Sequence, residues 1–302
     1  MHGLLAIFWR WVSQERLPRL GILHNRTVTL ANGAADRGPL SAGSSAAPSA
    51  ADGGPGAEQG EASYDRIVSR LIPGYASLAR LGVALLASSP LAGAPGAEVL
   101  VAGCGSGAEL LEARAQRPDW QLTGLDPSAA MLGLARARLG GDGSIDWHHG
   151  TLEDLAAQAR FDGALAVLVL QSLPDDGSKL AFLTALARSL RPGGQVVLVD
   201  LMQAERSPLQ NQLRDARLGF QRASGLADPA GGAPTGPADQ SLPAQSLPAQ
   251  TVTAQTVTAL TVGLHPIGLS RLTALVAAAG FGDPAPVFQA LDVEGFLLQR
   301  RG

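Results

Sequence analysis

The stretch EVLVAGCGSGAELLEA, residues 98–113, sets Gly103, Gly105 and Gly107 at alternate positions between an apolar run of strand character and an apolar run at helical spacing. Glycine at a strand-to-helix handover tolerates positive φ and, lacking Cβ, lets the backbone lie directly against a ligand. The loop Gly103-Cys104-Gly105-Ser106-Gly107 has no Gly-Lys-Ser/Thr ending, so it is not a Walker phosphate cradle, and its GxGxG spacing differs from the GxGxxG of dinucleotide binders. A second strand-like run, WQLTGLDP, follows and ends in Asp126 and Pro127. A carboxylate at that strand end, roughly 20 residues beyond the glycines, is placed to accept hydrogen bonds from both hydroxyls of a ribose. Two plainer readings compete: a tight turn with no ligand, and an Asp126 that caps the next helix before Pro127.

Other chemistry-bearing residues read as structural. His148 and His149 are adjacent in an apparent strand end, so their side chains point to opposite faces and do not share one metal; no metal site is expected. Cys104 lies where only a small side chain fits and has no identifiable base to make it a nucleophile. Ser207-Pro208-Leu209-Gln210 has capping-box spacing with proline at the first helical position. Gln171, at the end of the fourth strand, either positions a substrate or is a loop amide bonded to backbone.

The elements that must position the loop and the acid alternate between strand and helix. Strands are expected near 97–102, 121–125, 144–147, 162–170 and 195–200, and helices near 107–116, 127–139, 176–190 and 205–222. That order predicts βαβ units and a parallel sheet covered on both faces. After them, LSRLTALVAAAG reads as a helix stopped by Gly280, and APVFQALDVEGFLLQR as two strands joined by a short turn. The expected fold is α/β: a Rossmann-like, doubly wound, mostly parallel seven-stranded sheet ending in an antiparallel hairpin.

Flanking this alternation, residues 1–60 read as an amino-terminal extension with an Ala/Gly/Ser-rich linker, largely disordered, and 61–302 as the folded domain. A low-complexity insertion at about 225–263 carries the repeat SLPAQ SLPAQ TVTAQ TVTAL. The apolar start MHGLLAIFW is interrupted by Arg10, too short to span a membrane, and without a cationic start or a small-residue cleavage site, so no secretory signal is expected. With 302 residues and 46% apolar content the chain can bury a real core. Its 16% charged residues, net −3, are strung out singly, which argues against direct nucleic-acid binding. One cysteine excludes an internal disulfide and fits a cytoplasmic location.

Taken together, the loop EVLVAGCGSG, GLDPSAAM, FDGALAVLVLQSLPD and LARSLRPGGQVVLVDL resemble the class I S-adenosylmethionine-dependent methyltransferases over roughly 61–302, the repeat zone excepted. The resemblance implies S-adenosyl-L-methionine as cofactor. Its methionine part would lie on Gly103, Cys104, Gly105, Ser106 and Gly107, its ribose on Asp126 beside Pro127, and its adenine near Thr151 and Leu152. Thr151 stands where many relatives carry an acid. The stretches YDRIVSRLIPGYASLARLG, VLQSLP and LGFQRASGL are similar to the carboxy-S-adenosylmethionine synthase family, which prepares a donor for tRNA wobble-uridine modification. That likeness implies that Tyr75 and Arg222 help hold a carboxylated donor, although Val167 stands where that family has an asparagine. Arg222 also suits a helix-end cation. The leading expectation is a methyltransferase with a small-molecule acceptor positioned by Gln171; the alternatives are a carboxylated-donor synthase and a cofactor-binding protein without catalysis. A homodimer is compatible with each.

Overall fold

The computed structural model describes residues 64–140, 143–155, 158–203, 208–225 and 263–302. The amino-terminal extension, the repeat SLPAQ SLPAQ TVTAQ TVTAL and Ser207 lie outside the described residues.

Strands β1 (Glu98–Ala102), β2 (Gln121–Asp126), β3 (Ile145–His149), β4 (Phe161–Val167) and β5 (Leu190–Leu201) run parallel, and β6 (Ala285–Ala290) and β7 (Val293–Gln299) close the sheet antiparallel in the order β3-β2-β1-β4-β5-β7-β6. Helix α1 covers 64–71. It is followed by α2 (Tyr75–Ala87), α3 (Ala108–Gln116), α4 (Ala129–Leu139), α5 (Ser178–Ser189), α6 (Gln210–Ala223) and α7 (Leu269–Ala278). The strand order reverses between β1 and β4, which opens a crevice beyond their carboxyl ends.

Strands buried on both faces must be apolar throughout, and successive side chains alternate between two cores. Val99, Val101, Leu165, Val197 and Val199 pack with α1, α2, α3 and α4. Their neighbours Leu100, Ala102, Ala164, Ala166 and Leu198 pack on the other face with Phe182 and Leu183 of α5 and Leu272 and Val276 of α7. Helix α7 stops as the sequence predicts: Gly280 takes φ 95°, and Phe281 N–H closes onto Val276 O at 2.9 Å.

Three boundaries differ from the sequence reading. Strand β4 ends at Val167, three residues early, because Leu168 turns to φ 58° and the chain enters a 3₁₀ turn over Leu170–Ser172. The turn is captured by two buried groups from other elements. Lys179 Nζ donates to Leu170 O at 2.5 Å, and the Asp200 carboxylate accepts from Leu170 N at 2.6 Å and Gln171 N at 3.0 Å. Strand β5 begins at Leu190, so the Arg191-Pro192-Gly193-Gly194 turn is an irregularity within it: pairing with β4 breaks after Leu190–Phe161 and resumes at Gln195–Gly163. Helix α6 begins at Gln210 with Leu209 in the cap position and no side-chain cap bond, so Pro208 precedes the helix and is not its first residue.

Candidate functional site

The glycine loop leaves β1 with Gly103 at φ 72°, Gly105 at φ 51° and Gly107 at φ 85°, a conformation that side chains resist. Each position has its own additional reason. A Cβ at Gly103 would stand 2.6 Å from Val169 Cγ2, and one at Gly107 would press Leu139 at 3.0 Å and Ala135 at 3.2 Å. A Cβ at Gly105 would meet only Met131, at 3.8 Å, so there the bare backbone faces open space.

The loop is tied to the second strand through its amides. Gly103 N and Cys104 N both donate to Leu125 O, at 2.8 and 2.9 Å, and Gly105 N donates to Asp126 Oδ2 at 2.8 Å. The other Asp126 oxygen accepts from Ser128 N at 2.9 Å. Asp126 is therefore not the helix cap; Ser128 is, accepting from Met131 N at 3.3 Å. Burial pushes the Asp126 carboxyl up to about 6, against the pull of those two amides. From above, Asp65 of α1 accepts from Ser106 Oγ at 2.9 Å, Arg138 at 2.8 Å and Tyr75 Oη at 3.4 Å.

These elements enclose a cavity of about 230 Å³ at the crevice. Of the residues singled out from sequence, Gly103, Cys104, Gly105 and Ser106 line its floor, and Asp126 and Pro127 one side. Thr151, Leu152, Gln171 and Tyr75 line it as well. Gln171 does both things its position allows: its Oε1 accepts from Leu201 N at 3.2 Å while the residue borders the cavity. Thr151 bonds Asp154 through its amide and hydroxyl, at 2.8 and 2.9 Å, and opens the turn after β3.

Two expected residues are not brought to the cavity. Gly107 lies behind the loop, packed on α4. Arg222 is exposed on the last turn of α6 and is not among the lining residues, an arrangement that suits the helix-end cation. Arg217 of the same helix does line the cavity and is ion-paired with Asp292. Cys104 is buried and its thiol is raised by burial, which disfavours the nucleophilic thiolate. His148 pairs with Asp146 at 3.1 Å, whereas His149 Nε2 stands 3.1 Å from Pro127 O.

Sequence reasoning missed Asp65, Glu109, Glu153 and Arg217. Glu153 is an exposed carboxylate bordering the cavity beside Leu152, two residues beyond the position where an acid was looked for. Glu109, in the first turn of α3, is 8% exposed, and burial raises its carboxyl to about 7. An acid in a first helical turn is so ordinary that spacing alone could not have flagged it.

Residues 99–194 match the family model described as "Methyltransferase domain". The protein named ubiquinone biosynthesis O-methyltransferase from Aromatoleum aromaticum is 39% identical over 108 residues, covering 35% of this chain and 44% of that protein. Its namesake from Stutzerimonas stutzeri is 40% identical over 104 residues, 33% of this chain and 43% of that protein. The chain thus spans less than half the length of these curated relatives. Among solved structures, phosphoethanolamine N-methyltransferase 2 of Haemonchus contortus in complex with S-adenosyl-L-methionine has the same fold, with a TM-score of 0.50 at 13% identity over 81% of this chain and 57% of that one. The matched segment, about a third of the chain, contains the glycine loop and Asp126, and over that segment the chain is similar to methyltransferase domains.

Proposed function

We propose that this chain transfers the methyl group of S-adenosylmethionine to an oxygen of a small-molecule acceptor. The observation that supports this best is the Gly105–Asp126 bond, which fixes a bare backbone loop and a buried carboxyl as two walls of one cavity at the switch point. In this reading the loop seats the methionine part of the cofactor and Asp126 its ribose, with Pro127, Thr151 and Leu152 framing the adenine. Tyr75 and Gln171 stand on the acceptor side. The acceptor oxygen is suggested by the relatives named ubiquinone biosynthesis O-methyltransferase.

S-adenosylmethionine supplies a methyl group already activated by its sulfonium. The residues of the chain have to align donor and acceptor and keep water out. Val68, Leu71, Val167 and Leu173 provide the apolar walls for the second task. Incubation with labelled S-adenosylmethionine and a panel of hydroxylated aromatic acceptors should release S-adenosylhomocysteine with at least one of them. If neither cofactor form binds to folded protein in calorimetry, the proposal fails.

A carboxylated donor would need a free cation in the cavity; Arg222 does not line it, and Arg217, which does, is ion-paired with Asp292. Arg222→Ala should therefore leave the nucleoside that copurifies with the protein unchanged, and mass spectrometry of that nucleoside distinguishes the ordinary cofactor from the carboxylated form. Loss of a bound carboxylated nucleoside in this variant would restore the synthase reading.

A further inference from the structure

Four carboxylates stand at or above the cavity, and three of them are engaged or wet. Asp126 accepts from Gly105 N and Ser128 N. Asp65 accepts from Ser106, Tyr75 and Arg138. Glu153 is exposed. Glu109 differs: it is 92% removed from solvent, lines the cavity directly after the glycine loop, and among the described residues has no bond to its carboxyl beyond its own backbone amide. An unpartnered buried carboxyl costs stability unless something neutralises it. The amino-terminal end of α3, whose first turn holds it, adds positive potential but no counter-charge of its own.

We propose that Glu109 is the counter-charge for the primary ammonium at the amino-acid end of the cofactor, and so selects a ligand that carries this amine over one truncated to the nucleoside thioether. The inference rests on the cofactor reading above. Strand β1 offers no alternative, since Glu98 lies at its far end, paired with Arg160, and Val99, Leu100, Val101 and Ala102 are all apolar. Among the described residues, the cation that acts on the Glu109 carboxyl is Arg138, which is held by Asp65 at 2.8 Å. An ammonium arriving at the loop would meet in Glu109, among the described carboxylates, a buried one that no cation holds.

Among the described residues, the titratable groups that act on Glu109 are Tyr64 and Asp65 on α1, Tyr75 on α2, Cys104 in the loop and Arg138 on α4, and Asp126 at the end of β2 lines the same cavity. Tyr64, Tyr75 and Cys104 are all raised above their ordinary values and stay neutral near pH 7. Asp65 and Arg138 neutralise one another. Asp126, raised to about 6, titrates below Glu109 and faces the ribose, which is common to full-length and truncated ligands.

The test is calorimetric titration of the full chain with S-adenosylhomocysteine, which keeps the amine, and with 5′-methylthioadenosine, which lacks the amino-acid end. Glu109→Gln should weaken S-adenosylhomocysteine at least about 30-fold, the loss expected when one member of a buried charge pair is removed, and change methylthioadenosine less than about twofold. Retained methylthioadenosine binding also serves as the control for folding. In the wild type, S-adenosylhomocysteine should bind about tenfold more tightly at pH 8 than at pH 6, as Glu109 ionises through about 7, and more steeply than methylthioadenosine does. Parallel losses for both ligands, or none, together with pH slopes that do not differ, would overturn the assignment while leaving the cofactor reading intact. A wild type that binds neither ligand would overturn both.

Discussion

Replacing Lys179 by Met probes how the acceptor side of the cavity is held in shape. Lys179 is fully buried, and its ammonium donates to Leu170 O at 2.5 Å. Asp200, 2% exposed, feels that charge without a direct ion pair and binds the same turn from the other side, accepting from Leu170 N and Gln171 N, and also from Leu201 N at 2.9 Å. Methionine nearly matches the length of lysine but donates nothing, so it strands the Leu170 carbonyl and leaves Asp200 without its ammonium. Stranding a buried carbonyl costs about 1–3 kcal/mol, which for a domain of this size corresponds to a fall of about 2–12 °C in Tm. The loss should also depend on pH. Burial already holds Asp200 at about 7 against the pull of Lys179, and without that ammonium its charged form becomes costlier, so the penalty should be larger at pH 8 than at pH 5.5. Lys179→Met/Asp200→Asn should recover part of the stability but not all, because asparagine offers one acceptor oxygen where three backbone amides now find a carboxylate. Scanning calorimetry at the two pH values decides the matter. A fall below about 2 °C that is identical at both, where about 2–4 °C corresponds to 1 kcal/mol, would refute the coupling.

The other expectations concern the loop and the acids. Gly103→Ala combines a left-handed residue with a Cβ only 2.6 Å from Val169, and should cost about 2–5 kcal/mol in urea unfolding; adding Val169→Ala should relieve the clash but not the backbone strain. Asp126→Asn keeps one of the two oxygens that now serve Gly105 and Ser128, and should weaken S-adenosylhomocysteine and methylthioadenosine alike by at least about tenfold in calorimetry. Asp126, Glu109 and Asp200 are all raised above their unfolded values, to about 6, 7 and 7, so the stability each contributes is complete below about pH 4 and is lost as pH rises through those values. Ligand-free protein should accordingly lose up to about 7 kcal/mol of unfolding free energy between pH 5 and pH 8. The depressed surface carboxylates Asp119 and Asp154 act in the opposite direction but at more acid pH, outside that window. Stability rising across this range would contradict the burial of the three carboxyls.

The strand order and the two-sided cover were legible because β1, β4 and β5 are buried on both faces and must read as unbroken apolar runs, with glycine and Asp-Pro marking the handovers. The glycine loop and Asp126 were legible for a related reason: positive φ and a strand-end carboxylate at the switch point demand particular residue types. The end of β4 was not. Val167-Leu168-Val169-Leu170 is as apolar as any strand, and what turns it is a lysine nine residues later and an aspartate thirty residues later reaching the Leu170 backbone. Asp65 and Glu109 were hidden in the same way, since their importance lies in what α1 and α3 bring together across the loop. Arg222 looked suitable by motif, yet only the facing of α6 decides that Arg217 is the residue that reaches the cavity.

The three raised carboxyls share a location that gives them a common meaning. Asp126 ends β2, Glu109 begins the helix after β1, and Asp200 lies at the end of β5, so all three sit at the carboxyl edge of the sheet, beside or just beneath the cavity. A fold maximised for stability would fill that edge with neutral groups; here it holds acids that the described residues of the chain neutralise only in part. An anionic ligand would worsen that imbalance, whereas one bearing a sulfonium and an ammonium relieves it by drawing Asp126 and Glu109 toward their charged forms. Binding of such a ligand should therefore release protons near pH 6.5. The heat of binding at that pH should change between buffers of different ionisation enthalpy, and this proton release should be smaller in Glu109→Gln. Equal heats in every buffer would mean that the acids at this edge do not sense the charge of the ligand.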